Sequence, residues 1–124
     1  MGNFLFWGAL NGMLAVMLGA FGAHALKSRL TESDMLHVYQ TAVEYHFYHV
    51  AALLVVGLLA IVSPGGSLLN WSGGLFLLGM LLFSGSLYIL SVSGVKLLGM
   101  VTPIGGLFLI AGWICLAVYA VRAF

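Results

Sequence analysis

Charge is what this chain has least of. Asp, Glu, Lys and Arg make up 6% of its 124 residues, three acidic and four basic, against about a quarter in an ordinary soluble domain. A small solvated surface needs roughly 25–35% charged residues, so a conventional soluble fold is excluded. The formal net charge is +1 and no basic run occurs, which removes the electrostatic footprint of a nucleic-acid partner. Cysteine is nearly absent as well. Cys115 stands alone in an apolar stretch, so it reads as a small apolar residue and rules out a disulfide framework. Catalytic and metal-binding patterns are missing too. Ser84-Gly85-Ser86 is not a G-x-S-x-G elbow, and Glu44-x-His46-x-x-His49 matches neither H-E-x-x-H nor a thiolate site. Neither enzymatic activity nor a metal centre is expected on these grounds.

What is abundant is apolar: 63% of the residues are hydrophobic and 17 are glycine. The solvent that fits is a lipid bilayer. Four apolar segments, about residues 4–23, 41–62, 73–93 and 103–121, each approach the roughly 20 residues that cross a hydrocarbon core about 30 Å thick. The expectation is an all-α integral membrane four-helix bundle, a single transmembrane domain over residues 1–124. No Lys or Arg precedes Lys27, so the first segment lacks the n-region of a signal peptide and is expected to be a retained span, despite Ala23-His24-Ala25.

Punctuation supports the division. Ser63-Pro64-Gly65-Gly66 should stop the second span, because proline cannot continue the hydrogen-bond ladder. Thr102-Pro103 should start the fourth, threonine as N-cap and proline at the first helical position. Thr31-Glu32-Ser33-Asp34 has the form of a capping box, which predicts a second helix running unbroken from Glu32 to Val62, its 32–40 section at the interface. Lys27, Arg29 and Lys96 then lie on one side, opposite Arg122 and the N-terminal amine. The excess of positive charge places both termini outside the cytoplasm.

Within a membrane, helices associate by close packing, so small residues mark the seams. Gly8, Gly12, Ala15, Gly19 and Gly22 fall within about 80° of arc at 100° per residue. Ser72, Gly79, Ser86 and Ser93 recur every seventh residue, and Gly105 with Gly112 gives a shorter stripe. These stripes suit a monomeric bundle, a homodimer or a complex with another membrane protein.

Polar groups crowd one segment. His24, His37, His46 and His49, with five of the seven charged residues, lie between positions 24 and 49. On a helical wheel His37, Thr41, Glu44 and Tyr48 share one face. His46 lies nearly opposite, with Tyr39, Ala42 and Leu53. A carboxylate inside the hydrocarbon must find a donor, face water or bind a proton, so Glu44 reads either as an interfacial hydrogen-bonded acid or as the site of a proton-coupled transporter. The histidines read as structural hydrogen-bonding groups or as contacts to haem or quinone.

Gly19-Ala20-Phe21-Gly22-Ala23-His24, Tyr39-Gln40-Thr41-Ala42-Val43-Glu44-Tyr45 with His49, Phe83-Ser84-Gly85-Ser86-Leu87-Tyr88 and Thr102-Pro103-Ile104-Gly105-Gly106 occur in this order. Together they resemble the YgdD/YwdK family of small bacterial membrane proteins. The resemblance covers nearly the whole chain and implies four spans in the bacterial cytoplasmic (inner) membrane, with no activity, substrate or cofactor attached. It implies His24, Glu44, Tyr45, His49, Ser84, Ser86, Tyr88, Thr102 and Pro103 as matching polar or turn positions. His46 departs from the family pattern, where glutamine can stand, which makes His24 with His49 the preferred histidine pair. The expected site is therefore a polar cluster of His24, Glu44, Tyr45, His49, Ser86 and Tyr88 near one interface, binding a small molecule, a lipid or a partner.

Overall fold

A computed structural model describes residues 3–63 and 66–124. Five α-helices follow one another: α1 (Phe4–Ala23), α2 (Lys27–Glu32), α3 (Leu36–Val62), α4 (Ser67–Ser93) and α5 (Val101–Ala123), with a 3-10 helix at Lys96–Met100 before the last. No strand occurs among the described residues. Four helical stretches, Phe4–Ala23, Leu36–Val62, Ser67–Ser93 and Lys96–Ala123, are long and apolar enough to cross a membrane. The chain is thus an all-α membrane protein with four candidate spans.

The helix boundaries differ from expectation at three places. Thr31-Glu32-Ser33-Asp34 is not a capping box but the end of α2. Leu30 is fully buried and anchors this short helix. The turn after it closes by hydrogen bonds from Asp34 N to Thr31 O and from Met35 N to Leu30 O. This is the Schellman pattern, and its left-handed position is taken by Asp34, at φ 58°. The Thr31 hydroxyl donates back to Lys27 O instead of capping a new helix. The third span begins at Ser67, ahead of Gly73, because Leu69 and Ser72 are buried and the Ser72 hydroxyl donates to Gly112 O at 2.9 Å. The last begins at Val101, and Thr102 is not its N-cap. Pro103 still lies within the first turn, where a missing N–H breaks no intrahelical bond. The stop expected at Pro64-Gly65 falls outside the described residues.

Packing follows chain order. The paired elements are α1 with α3, α3 with α4 and α4 with α5. The two outer helices, α1 and α5, are not a packed pair. The core lies along the central pair and its flanks: Phe4, Leu53, Val56, Leu69, Phe76, Met80 and Leu109. Facing positions on α4 and α5 run antiparallel: Ser72 meets Gly112, Gly79 meets Leu109, and Ser86 meets Thr102. The seven-residue stripe of α4 is therefore its α5 face, down to the exposed Ser93. At Gly105 a Cβ would fall on the backbone of Leu82 and Phe83, so these two helices touch main chain to main chain. Gly8 and Gly22 of α1, and Gly79 and Gly112, also leave no free space for a side chain. A Cβ at Gly12 or Gly19 would stand 3.5 or 3.4 Å from a valine methyl, an ordinary contact, and Ala15 is fully buried.

One contact and one turn fix the end of the bundle where α2 sits. The Arg29 guanidinium donates to Val92 O at 2.9 Å, satisfying a carbonyl that the C-terminus of α4 leaves without an intrahelical partner. Gly94, at φ 74°, then reverses the chain.

Candidate functional site

The polar face of α3 that turns inward is the one carrying His46. Tyr39, Ala42, His46 and Leu53 are all at most 5% exposed, as their shared face on the wheel requires. His46 joins three helices: its Nδ1 lies 3.0 Å from Tyr88 Oη on α4, and its Nε2 lies 3.0 Å from Asn11 Oδ1 on α1. The direction of this chain follows from its far end. Asn11 Nδ2 donates to Trp7 O at 2.9 Å, so the amide turns its oxygen toward the ring. His46 must then donate through Nε2–H and accept the Tyr88 hydroxyl at Nδ1. By helical rise Asn11 lies within about 4 Å of the midpoint of α1 and His46 within about 5 Å of that of α3, while Tyr88 stands about 12 Å from that of α4, so the chain runs obliquely from the α2 end of the bundle to mid-span. Beside it the Tyr39 hydroxyl donates to Leu18 O, and the Tyr39 and Tyr88 rings meet edge to face.

His49, one turn further along α3, has a separate set of partners. Its Nδ1 lies 2.7 Å from Tyr45 O, and its Nε2 accepts from Trp113 Nε1 at 3.0 Å. A carbonyl on one nitrogen and an N–H donor on the other fix the Nδ1–H tautomer, opposite to that of His46. Phe76 packs against both the His49 and Trp113 rings.

The expected cluster is therefore distributed over several places. His24 is exposed at the C-cap of α1, while His49 stands about 20 Å of helical rise from the start of α3, so the preferred histidine pair does not meet. Tyr45 is 39% exposed and lies against Phe83 and Tyr48. Ser86 donates to Phe83 O and faces Thr102 Oγ1 at 2.6 Å, within the α4–α5 seam. Glu44 is exposed on the outer side of α3. Only Tyr88 of the six belongs to the chain through His46. No group of three His, Cys, Asp or Glu able to hold a metal occurs among the described residues. With both ring nitrogens engaged, neither His46 nor His49 offers a free lone pair for axial ligation of a haem.

Sequence reasoning missed Asn11 and Trp113. Asn11 carried a signal: it is the single amide or charged side chain within Phe4–Ala23, and such a group inside a span needs a partner in the protein. Trp113 carried none, since aromatic residues are common in spans.

Two clefts flank the α1–α3 seam. One, of about 280 Å³, lies between α1 and α4 and is bordered by Trp7, Leu14, Leu77 and Leu81, with Asn11, His46 and Tyr88 at its base. Trp7, Leu14 and Leu81 are 43%, 39% and 68% exposed, so it opens on the lipid-facing surface. The other, of about 420 Å³, lies on the opposite side of the seam near α2 and holds Lys27, Gln40 and Glu44.

Comparison with known proteins agrees with the four apolar helices. Residues 18–106 match the family described as "Protein of unknown function (DUF423)". The chain is 46% identical over 119 residues to the UPF0382 membrane protein YwdK of Bacillus subtilis (strain 168), covering 96% of each chain. It is 46% identical over 116 residues to the UPF0382 membrane protein SAB0533 of Staphylococcus aureus, covering 93% of this chain and 92% of that one. With the UPF0382 membrane protein SH2409 of Staphylococcus haemolyticus the identity is 45% over 116 residues, again 93% and 92% of the two chains. No solved structure matches. A four-span apolar chain alike to these proteins along nearly its whole length belongs to the DUF423 family of membrane proteins, a family of unknown function.

Proposed function

We propose that this is a non-enzymatic, multi-pass protein of the bacterial cytoplasmic membrane that binds a lipid-soluble amphiphile in the cleft between α1 and α4. One observation carries the reading: a directed hydrogen-bond chain that reaches the middle of α1 forms the base of an apolar cleft open to lipid. Polar side chains at that depth are costly and ordinarily face the protein or a functional ligand. After the internal bonds are made, Asn11 retains one amide N–H and Tyr88 retains oxygen lone pairs facing the cleft. An apolar molecule with a hydroxyl head meets both, accepting from Asn11 and donating to Tyr88, and its hydrocarbon part lies along Leu14, Leu77 and Leu81.

The transporter reading finds less support, because Glu44 lies outside the helix interior, on the far side of the seam. The test is extraction of purified protein followed by mass spectrometry, comparing wild type with Asn11→Leu and Leu81→Trp. A compound that co-purifies with wild type and drops at least fivefold in both variants supports the site. Equal recovery in all three, or no compound above the lipid background, overturns it.

A further inference from the structure

The second cleft combines features that the first lacks: two opposite charges toward the α2 end of the bundle. Lys27 is the first residue of α2, and its backbone is positioned by the buried Leu30 and the Asp34 turn. Glu44 lies about 12 Å of helical rise into α3. Both side chains, together with Gln40 one turn before Glu44 on α3, line one cleft of about 420 Å³ and are exposed. Gly19 and Gly22 line the α1 wall, Gly22 covered by the Tyr39 ring, and Tyr39, its hydroxyl donating to Leu18 O, forms a fixed end wall. One turn nearer the bilayer centre, Val16 on α1 and Phe47 on α3 are 59% and 39% exposed.

We infer that this cleft binds a phospholipid whose headgroup carries a primary ammonium beside its phosphate. A carboxylate at this depth needs a charged or hydrogen-bonding partner. A primary ammonium brings up to three N–H donors to Glu44 and Gln40, and the Lys27 ammonium pairs with the phosphate as a point charge. Val16 and Phe47 then lie where the acyl chains leave the headgroup. A quaternary choline has no N–H to give Glu44, and a glycerol headgroup has no cation, so the charge pattern selects among lipids. This site stands independently of the α1–α4 cleft.

Native mass spectrometry of delipidated protein, incubated with phosphatidylethanolamine, phosphatidylcholine and phosphatidylglycerol of identical acyl chains, tests the inference. Wild type is expected to retain the ethanolamine lipid about tenfold over the choline lipid, the factor that one charge-assisted hydrogen bond supplies. Glu44→Gln should bring that ratio to near one. Lys27→Gln should lower retention of all three lipids and leave the ratio in place. Both residues are exposed, so both variants are expected to fold, which the thermal midpoint in detergent checks. A ratio near one in wild type, or a ratio that Glu44→Gln leaves unchanged, overturns the inference. The same holds if soluble glycerophosphoethanolamine displaces the lipid, since the occupant would then be a water-soluble metabolite.

Discussion

At the scale of single residues, the two inward histidines show how neighbours choose a tautomer. His46 faces an acceptor at Nε2, and His49 faces an acceptor at Nδ1 and a donor at Nε2. Nitrogen-15 chemical shifts of the labelled protein should show His46 protonated at Nε2 and His49 at Nδ1; one tautomer for both would contradict the hydrogen-bond assignment. By the same logic a glutamine should fit position 46. Its amide N–H can donate to Asn11 and its oxygen can accept from Tyr88, repeating the polarity of the imidazole. His46→Gln should therefore change unfolding free energy by less than about 0.5 kcal/mol. His46→Leu strands Asn11 and Tyr88 and should cost about 1–2 kcal/mol, near the upper end for interhelical hydrogen bonds in membranes. Steric trapping or reversible unfolding in mixed micelles measures both. Glycines divide in the same local way. Gly105→Ala drives a methyl into the backbone of Leu82 and Phe83 and should cost about 1–3 kcal/mol by overpacking. Gly12→Ala meets Val50 at 3.5 Å and should be neutral or stabilising by up to about 1 kcal/mol.

At the scale of elements, the turn between α2 and α3 is held in place by Leu30 and closed through an aspartate in the left-handed region. Asp34 accepts a backbone conformation that costs an L-residue roughly 1–2 kcal/mol, so Asp34→Gly should raise stability by about 0.5–1 kcal/mol, seen as a higher thermal midpoint. This is also where the sequence was hardest to read. Thr31-Glu32-Ser33-Asp34 writes a helix start and a helix end with the same polar residues, and the deciding fact, burial of Leu30, is tertiary. Thr102 misled for a similar reason: its hydroxyl goes to Ser86 across the seam, a partner that no local pattern reveals. The spans themselves were legible because hydropathy over about 20 residues is a strong signal. So were the packing stripes, although the periodicity of Ser72, Gly79 and Ser86 could not say that α5 was the helix they faced.

At the scale of the whole molecule, antiparallel α1, α3, α4 and α5 put Lys27, Arg29 and Lys96 at one end of the bundle and Arg122 at the other. The excess of positive charge predicts the α2 end in the cytoplasm. A C-terminal alkaline phosphatase fusion should then be active and a C-terminal green fluorescent protein fusion dark; the reverse pattern would invert the orientation. The site was only half legible at this scale. The wheel separated the His46 face from the Glu44 face correctly, but the family resemblance drew attention to His24 and His49, which helix placement keeps apart. The order of packing, with α1 held chiefly by α3, also bears on how the protein is made. When α1 first enters the bilayer during synthesis, α3 has not yet emerged, and Asn11 is the group it carries that lipid tolerates least. The bond from Asn11 to Trp7 O within the same helix shelters the amide in that interval. Its oxygen then waits for His46, so arrival of α3 in the correct rotation is what completes the insertion of α1.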